Sequence, residues 1–434
     1  MSHLDDPIDA ESARALAEQG LRFEVVDTGD SAAFDAWLRA DLRGFHSETA
    51  DDQLPRLREA YAYRRTSGVY DDGIAEPSSP VATVNSWPGE LSVPGDRLVP
   101  AWAISSVTVS PTHAGRGIAR ALLEAELRAA AASGVPLAML TVSESTLYAR
   151  YGFGAATFGS DYRIDTSRVR WAGPAAAGRV QIIDVDRYLR EAPLLYQRVR
   201  VSQPGQMELW PLRWAEVAVQ RDDPAKARRV RALRYDDADG VPRGYAVYDV
   251  EGGEQDFTAH VATLRFLVSD GLEAYAALWK YVLQLPLVRT VVAPMRRTDE
   301  PVRWMLGDLR AATSTTTDHL WLRVLDLPAA FEARAAAVDG VIGLHVDDAA
   351  GYVDGDWHLV ASDGGFSVER VEGFAADVPV IALGADALGS LYLGGVSAVT
   401  LAESGGVVER TEGAAAAVDA LLRSPRTPWL AVWF

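Results

Sequence analysis

Along residues 103–109, Ala103, Ser105, Val107 and Val109 share one parity and alternate with their neighbours. That period of two predicts a strand with those side chains on one face. Pro111 ends it, because proline brings no N–H to a ladder. From Ile118 the period changes: Ile118, Leu122, Ala125 and Ala129 fall at helical spacing, as do Leu123 and Leu127. Between the two patterns, Gly115 and Gly117 predict a sharp turn that leaves backbone amides exposed. This strand, turn and helix form the centre around which the rest of the chain is read.

The flanking pattern extends the same alternation of elements. The first twenty residues are polar and expected to fray at their start. Residues 21–26 predict a strand, and Ser31 is the expected N-cap of a helix through Phe34, Trp37, Leu38 and Leu42. Strands are expected at 64–70 and 81–85, and residues 91–95 and 98–102 lead into the central strand. Ser133-Gly134 closes the long helix. The apolar run 137–142 predicts a buried strand, after which Ser143 is expected to cap a short helix carrying Tyr148 and Tyr151.

A linker rich in Gly, Pro and Ala, residues 173–178, opens a second unit. It shows strands at 244–250, 259–264 and 288–292 and helices at 272–285 and 301–309. Its order repeats that of the first unit without the glycine turn. From Leu320 a third unit follows: a helix opened by Pro328, short strands at 341–346, 357–361 and 366–371, a capped short helix over 386–395 closed by its glycines, and a last helix over 414–422. The expected class is α/β with mixed sheets, in units spanning 1–165, 166–310 and 311–434.

Length agrees with several units, since 434 residues exceed what one core holds. No run of about 18 apolar residues is present, so no membrane-crossing helix is expected. The first residues lack a basic and apolar leader, and the chain has no cysteine. Together these favour a cytoplasmic protein without disulfides or thiolate metal sites. A net charge of −18 argues against nucleic acid or anionic membrane as partner and suits a cationic amine. Seven histidines occur without a His-Glu-x-x-His spacing, and no Gly-x-Ser-x-Gly elbow appears, so no metal is expected.

A helix that begins on a glycine turn offers free N–H groups and a positive dipole end, which suits phosphate or pyrophosphate. No Lys-Ser/Thr follows the last glycine, and no third glycine sits at the dinucleotide offset. Early aromatic residues, Trp37, Phe45 and Trp87, with Asp35, Asp41 and Glu48 nearby, are candidate walls for an amine acceptor. The chain ends in Pro428-Trp429-Leu430-Ala431-Val432-Trp433-Phe434, apolar to its last residue. Leaving such a segment in water forfeits about 1.5–3 kcal/mol per large side chain, so it should dock.

The run Val107-Thr108-Val109-Ser110-Pro111 followed by Gly115-Arg116-Gly117-Ile118-Ala119 resembles the coenzyme A pyrophosphate loop of GNAT-type N-acetyltransferases. Arg150-Tyr151-Gly152-Phe153-Gly154 is similar to the segment that follows the last helix of that fold. Leu320 to Arg334 and Leu388 to Gly395 resemble the sterol-carrier-protein-like domain of the Eis-type (enhanced intracellular survival) acetyltransferases. The resemblance implies two tandem GNAT-like domains, the second degenerate, followed by a sterol-carrier-protein-like α+β domain. It implies acetyl-CoA as co-substrate and a homohexamer. The acceptor is then a primary amine of a cationic small molecule, aminoglycoside-like or polyamine, or a lysine side chain.

Carried onto this sequence, Val107 and Val109 pair with the pantetheine, Gly115, Arg116, Gly117 and Ile118 hold the pyrophosphate, and Ser143 contacts the coenzyme. Tyr148 is the general acid, and the α-carboxylate of Phe434 takes the proton from the amine. Of residues 114–116 only Arg116 is basic, where the family can place more than one cation. The rival expectation is a non-catalytic lipid or small-molecule binder with a vestigial loop.

Overall fold

The computed structural model describes residues 3–218 and 227–434. Three sheets organise them. The first contains β1 (Leu21–Val25), β2 (Arg65–Asp71), β3 (Ala82–Val93), β4 (Arg97–Val109), β5 (Leu137–Thr141) and β6 (Gly154–Ala155). The second is built from β7 (Phe158–Asp165), β8 (Arg179–Ile183), β9 (Arg231–Asp236), β10 (Pro242–Glu251), β11 (His260–Ser269), β12 (Val288–Arg296) and β13 (Ala312–Asp318). β14 (Leu320–Val324) returns to the first sheet, whose order is β1-β2-β3-β4-β5-β14-β6. The second runs β13-β7-β12-β11-β10-β9-β8. The third holds β15 (Gly340–Asp347), β16 (Gly355–Ser362), β17 (Gly365–Val371), β18 (Val380–Gly384) and β19 (Val407–Glu409).

Sheet membership therefore cuts across the expected boundaries at 165 and 310. β7, expected to close the first unit, pairs with β12 and β13 in the second sheet. β14, expected to open the third unit, pairs with β5 and β6. Each of the two GNAT-like sheets is thus completed by a strand that follows the expected boundary or precedes it. Strand pairing across such distances is invisible to local periodicity.

Several local expectations are corrected. Within the polar first twenty residues lies α1 (Ala10–Ala17), capped by Asp9, which accepts from Ser12 N at 2.7 Å and pairs with Arg128 at 2.8 Å. Asp30, not Ser31, caps α2 (Ser31–Gly44), because its carboxylate reaches the amides of Ala32 and Ala33. α3 (Leu54–Tyr61) precedes β2, and α4 (Ile118–Ala132) runs as expected from the glycine turn. No helix follows Ser143; the chain makes turns and then a single 3-10 turn, Ala149–Tyr151. Pro301–Met305 is likewise 3-10 rather than a full helix. α5 (Val185–Arg200) and α6 (Pro211–Ala218) were not anticipated, the former with Pro193 inside it.

The central strand carries the most consequential correction. β3 and β4 form one long hairpin whose register jumps between Thr83↔Thr108 and Asn85↔Ser105. Ser106 takes up the extra residue with φ of 57°. A bulge exchanges the faces of everything beyond it. Ala103 packs in the core against the second sheet, whereas Val107 and Val109 pack in the core under α4. The even alternation from Ala103 to Val109 is therefore broken at Ser106.

Candidate active site

β4 and β5 are parallel and joined over only a short stretch, Ala101↔Leu137, Trp102↔Ala138 and Ala103↔Met139. Beyond it, β4 runs on to Val109 and β5 to Thr141 without pairing to each other. An opening between parted parallel strands exposes backbone groups that a chain with its own amides can satisfy. Val107 and Val109 stand on this free stretch, half-buried.

The strand then leads to a 3-10 turn, Pro111–His113, and to Gly115 and Gly117 at φ of 78° and 75°. Gly117 is the N-cap of α4 and no side chain caps it, so the first amides, beginning with Ile118, are free. Space around both glycines is open: a Cβ built at either meets nothing within 4 Å. This uncapped, open helix start fits an anionic group of a coenzyme. Arg116 stands beside it, but its Nη2 donates to the Gln19 carbonyl at 3.0 Å and its Nη1 lies 4.0 Å from Asp71. His113 Nε2 meets the same Asp71 at 3.0 Å, which holds that carboxyl below its ordinary value.

The end of the chain reaches the parted strands from the other side. Its path is fixed by successive hydrogen bonds. Trp429 N donates to Pro204 O, and Trp429 Nε1 to Met295 O at 2.8 Å. Gln206 donates to Trp429 O, and His319 Nε2 donates to Val432 O at 2.8 Å. Thr141 Oγ1 then accepts from Phe434 N at 3.3 Å and donates to Phe434 O at 2.8 Å. The Phe434 ring meets Trp87 edge-on, centroids 5.6 Å apart. Trp87 is the register partner of Ala103, the last β4 residue joined to β5. Phe434 therefore bridges the parting point, its ring toward β3 and its backbone on the end of β5.

Tyr148 belongs to the core under α4, as do Val107 and Val109, whereas Phe434 and Trp87 belong to the core on the opposite face. The two proposed proton-handling groups thus lie on opposite faces of one sheet, with the strand opening between them. Tyr148 is 7% exposed, packs edge-on against Phe153 and makes no hydrogen bond through its hydroxyl among the described residues. Burial, reinforced by Glu144, pushes its phenol above the ordinary value, so it holds its proton at neutral pH. Ser143 is exposed on the turn and caps nothing.

The early aromatic residues do not share one wall. Trp37 is wholly buried against Phe34 and donates to Ser67 O, so it is a packing residue. Phe45 is exposed at the end of α2. Of the three, Trp87 alone meets Phe434. Asp35 is spent on Arg58 at 3.2 Å. Asp41 is buried beside the bulge, and desolvation pushes its carboxyl up to about 7 against the pull of Ser106, Arg64 and Thr83.

Sequence reasoning missed Arg64. It is 3% exposed, its guanidinium lies 4.0 Å from the Trp87 ring centroid, and Tyr61, Tyr63 and Trp210 complete an aromatic box at 4.4, 5.3 and 5.0 Å. It donates to Tyr63 Oη at 3.0 Å and to Asn85 Oδ1 at 3.4 Å. The signal was present in the run Tyr61-Ala62-Tyr63-Arg64-Arg65, which places cations directly beside aromatic rings.

Parted parallel strands, an uncapped glycine turn after the first of them, and a second sheet of matching order define a tandem GNAT acetyltransferase. Acetyltransferase (GNAT) domain profiles match residues 26–156 and again 205–324, and a sterol carrier protein domain profile matches 327–431. An uncharacterized N-acetyltransferase of Streptomyces avermitilis is 35% identical over 407 residues, covering 91% of this chain and 94% of that protein. The N-acetyltransferase Eis of Mycobacterium tuberculosis is 31% identical over 349 residues, covering 77% of this chain and 81% of it. The crystal structure of Eis1 from Mycobacterium abscessus superposes with a TM-score of 0.80 at 27% identity, over 95% of this chain and all of that one. The chain belongs to the Eis-type GNAT N-acetyltransferases and is an N-acetyltransferase. Among the described residues no group of side chains is arranged to hold a metal, and no helix is long and apolar enough to cross a membrane.

Proposed function

We propose that this enzyme transfers the acetyl group of acetyl-CoA to a primary amine of a small molecule, with the α-carboxylate of Phe434 as base and Tyr148 as acid. The observation that carries the reading is the position of Phe434 at the point where β4 and β5 part. The coenzyme supplies a thioester whose carbonyl accepts the amine and whose thiolate departs. Val107 and Val109 flank its pantetheine, while Gly115, Gly117, Ile118 and Arg116 receive its pyrophosphate. Ser143, exposed on the turn after β5, contacts the coenzyme in this reading. The terminal carboxylate, on the face of Trp87, takes a proton from the incoming ammonium. Tyr148, on the face of α4, returns one to the leaving thiolate. A phenol kept protonated by burial is matched to that task.

The acceptor face carries a fixed positive charge, Arg64, inside the aromatic box that adjoins Phe434. That arrangement favours an amine with a flat or anionic partner group over a polycation. Thiol release from acetyl-CoA against aminoglycosides, polyamines, lysine peptides and arylalkylamines tests both statements. Turnover confined to singly charged arylalkylamines is expected. Absence of turnover with every amine would support the rival binding role instead. We further propose a homohexamer, supported by the exposure of Ile182, Leu194, Phe257 and Trp304, all in the middle of the chain.

A further inference from the structure

The second sheet repeats the parting of strands that marks the first. β11 and β12 are parallel and joined from His260↔Val288 to Thr263↔Val292. β11 then continues to Ser269 and β12 to Arg296 without pairing to each other. A helix follows β11, as α4 follows β4, but only Asp270 and Gly271 connect it. This helix, Leu272–Leu283, starts on Gly271 without a side-chain cap. Trp429 fills part of the gap by bonding Met295 O, and beside it remains a cavity of about 420 Å³. That volume lies within the range of small-molecule sites.

The cavity is lined by Arg200, Arg296, Arg297 and Arg426 in a chain whose net charge is −18. Glu300, the one carboxylate in its lining among the described residues, is occupied by Arg296 at 2.9 Å and by Tyr275 at 2.6 Å. Arg297 is paired with Asp299. Among the described residues, the Arg426 side chain bonds Ser202 alone, through its carbonyl and hydroxyl. Arg200 is 4% exposed and pairs with Glu90 through Nη2, yet its Nη1 is buried without a hydrogen-bond partner. A buried, unmatched guanidinium N–H is costly unless an acceptor reaches it. Phe266, Leu272 and Trp429 give the remainder of the cavity an apolar wall.

We propose that the second sheet's strand opening is a binding site for a small organic anion with an apolar body, its head held by Arg200 and Arg426. Two residues between β11 and its helix cannot form the wide turn that Ser110–Gly117 makes, so the ligand lacks a coenzyme pyrophosphate and is more compact. This inference does not depend on the acceptor or on the acid and base assigned above.

Titration calorimetry on the full chain, with coenzyme A saturating the first site, tests it. Octanoate and octyl phosphate serve as probes of carboxylate and phosphate heads, with octylamine and acetate as controls for charge and body. One of the two anions should bind at one site per chain, at least tenfold more tightly than octylamine or acetate. Arg426→Gln should weaken that binding at least tenfold. Leu272→Trp, at an exposed position on the cavity wall, should abolish it while circular dichroism and coenzyme A binding stay unchanged. No heat with either anion, loss of the signal under saturating coenzyme A, equal binding of octylamine, or undiminished binding in a folded Leu272→Trp protein would each overturn the proposal.

Discussion

At the scale of single residues, environment separates the two tyrosines near the opening. Tyr148 is buried against Phe153, whereas Tyr151 is half-buried and near Arg150 and Arg120. Replacing Tyr148 by Phe removes only the hydroxyl. Turnover should fall about 10²-fold or more, within the usual worth of a positioned acid, with the thermal midpoint little changed. Tyr151→Phe should stay near wild type, and steady-state kinetics on the pair settles which phenol donates. His319 gives a second test. Desolvation lowers its pKa from 6.5 to about 4, and its Nδ1 is buried without a partner. The unfolded chain takes this proton near 6.5 and the folded chain resists it, so stability present above 6.5 is lost as pH falls toward 4. The loss should be on the order of 3 kcal/mol, seen in denaturant unfolding as a function of pH and absent in His319→Gln. Roles of this kind were legible in part. The aromatic terminus announced that it would dock, because seven consecutive residues without a charged side chain are costly in water. Arg64 and His319 were not legible, since what makes each informative is the set of rings and carbonyls that distant segments bring to it.

Among elements, the glycine turn before α4 makes the sharpest prediction. Gly117 and Gly134 have nearly equal φ, 75° and 74°, and a Cβ at either meets nothing within 4 Å. Valine at either should therefore carry similar backbone strain, of about 1–2 kcal/mol. In the proposed site, only Gly117 of the two receives a coenzyme's phosphates. Gly117→Val should weaken coenzyme A binding at least tenfold by calorimetry and Gly134→Val should not; equal affinities would remove the turn from the site. The strand, turn and helix at 103–132 were readable because period and glycine spacing are local signals. The bulge at Ser106 was not, because a single residue in a left-handed conformation leaves no mark on composition. The absent helix after Ser143 has a similar cause: cap-like residues there face water and turns instead.

Over the whole molecule, the chain's end passes the turn at Pro204 and the second sheet at Met295 before it reaches Thr141 in the first. The tandem order of units was legible from the repeated strand and helix pattern. The exchange of β7 and β14 across the expected boundaries was not, since pairing partners separated by long stretches of chain have no local signature. Light scattering at micromolar concentration should give a hexamer of the 46.9 kDa chain; a monomer would refute that assembly. The central claim concerns the terminal carboxylate, and adding one glycine after Phe434 tests it most directly. The extension moves the carboxylate by up to ~3.6 Å and leaves every side chain in place. Turnover of the best amine substrate should fall at least tenfold with the thermal midpoint nearly unchanged. Full activity in the extended protein would contradict the account, leaving the terminus a packing segment and the base unassigned.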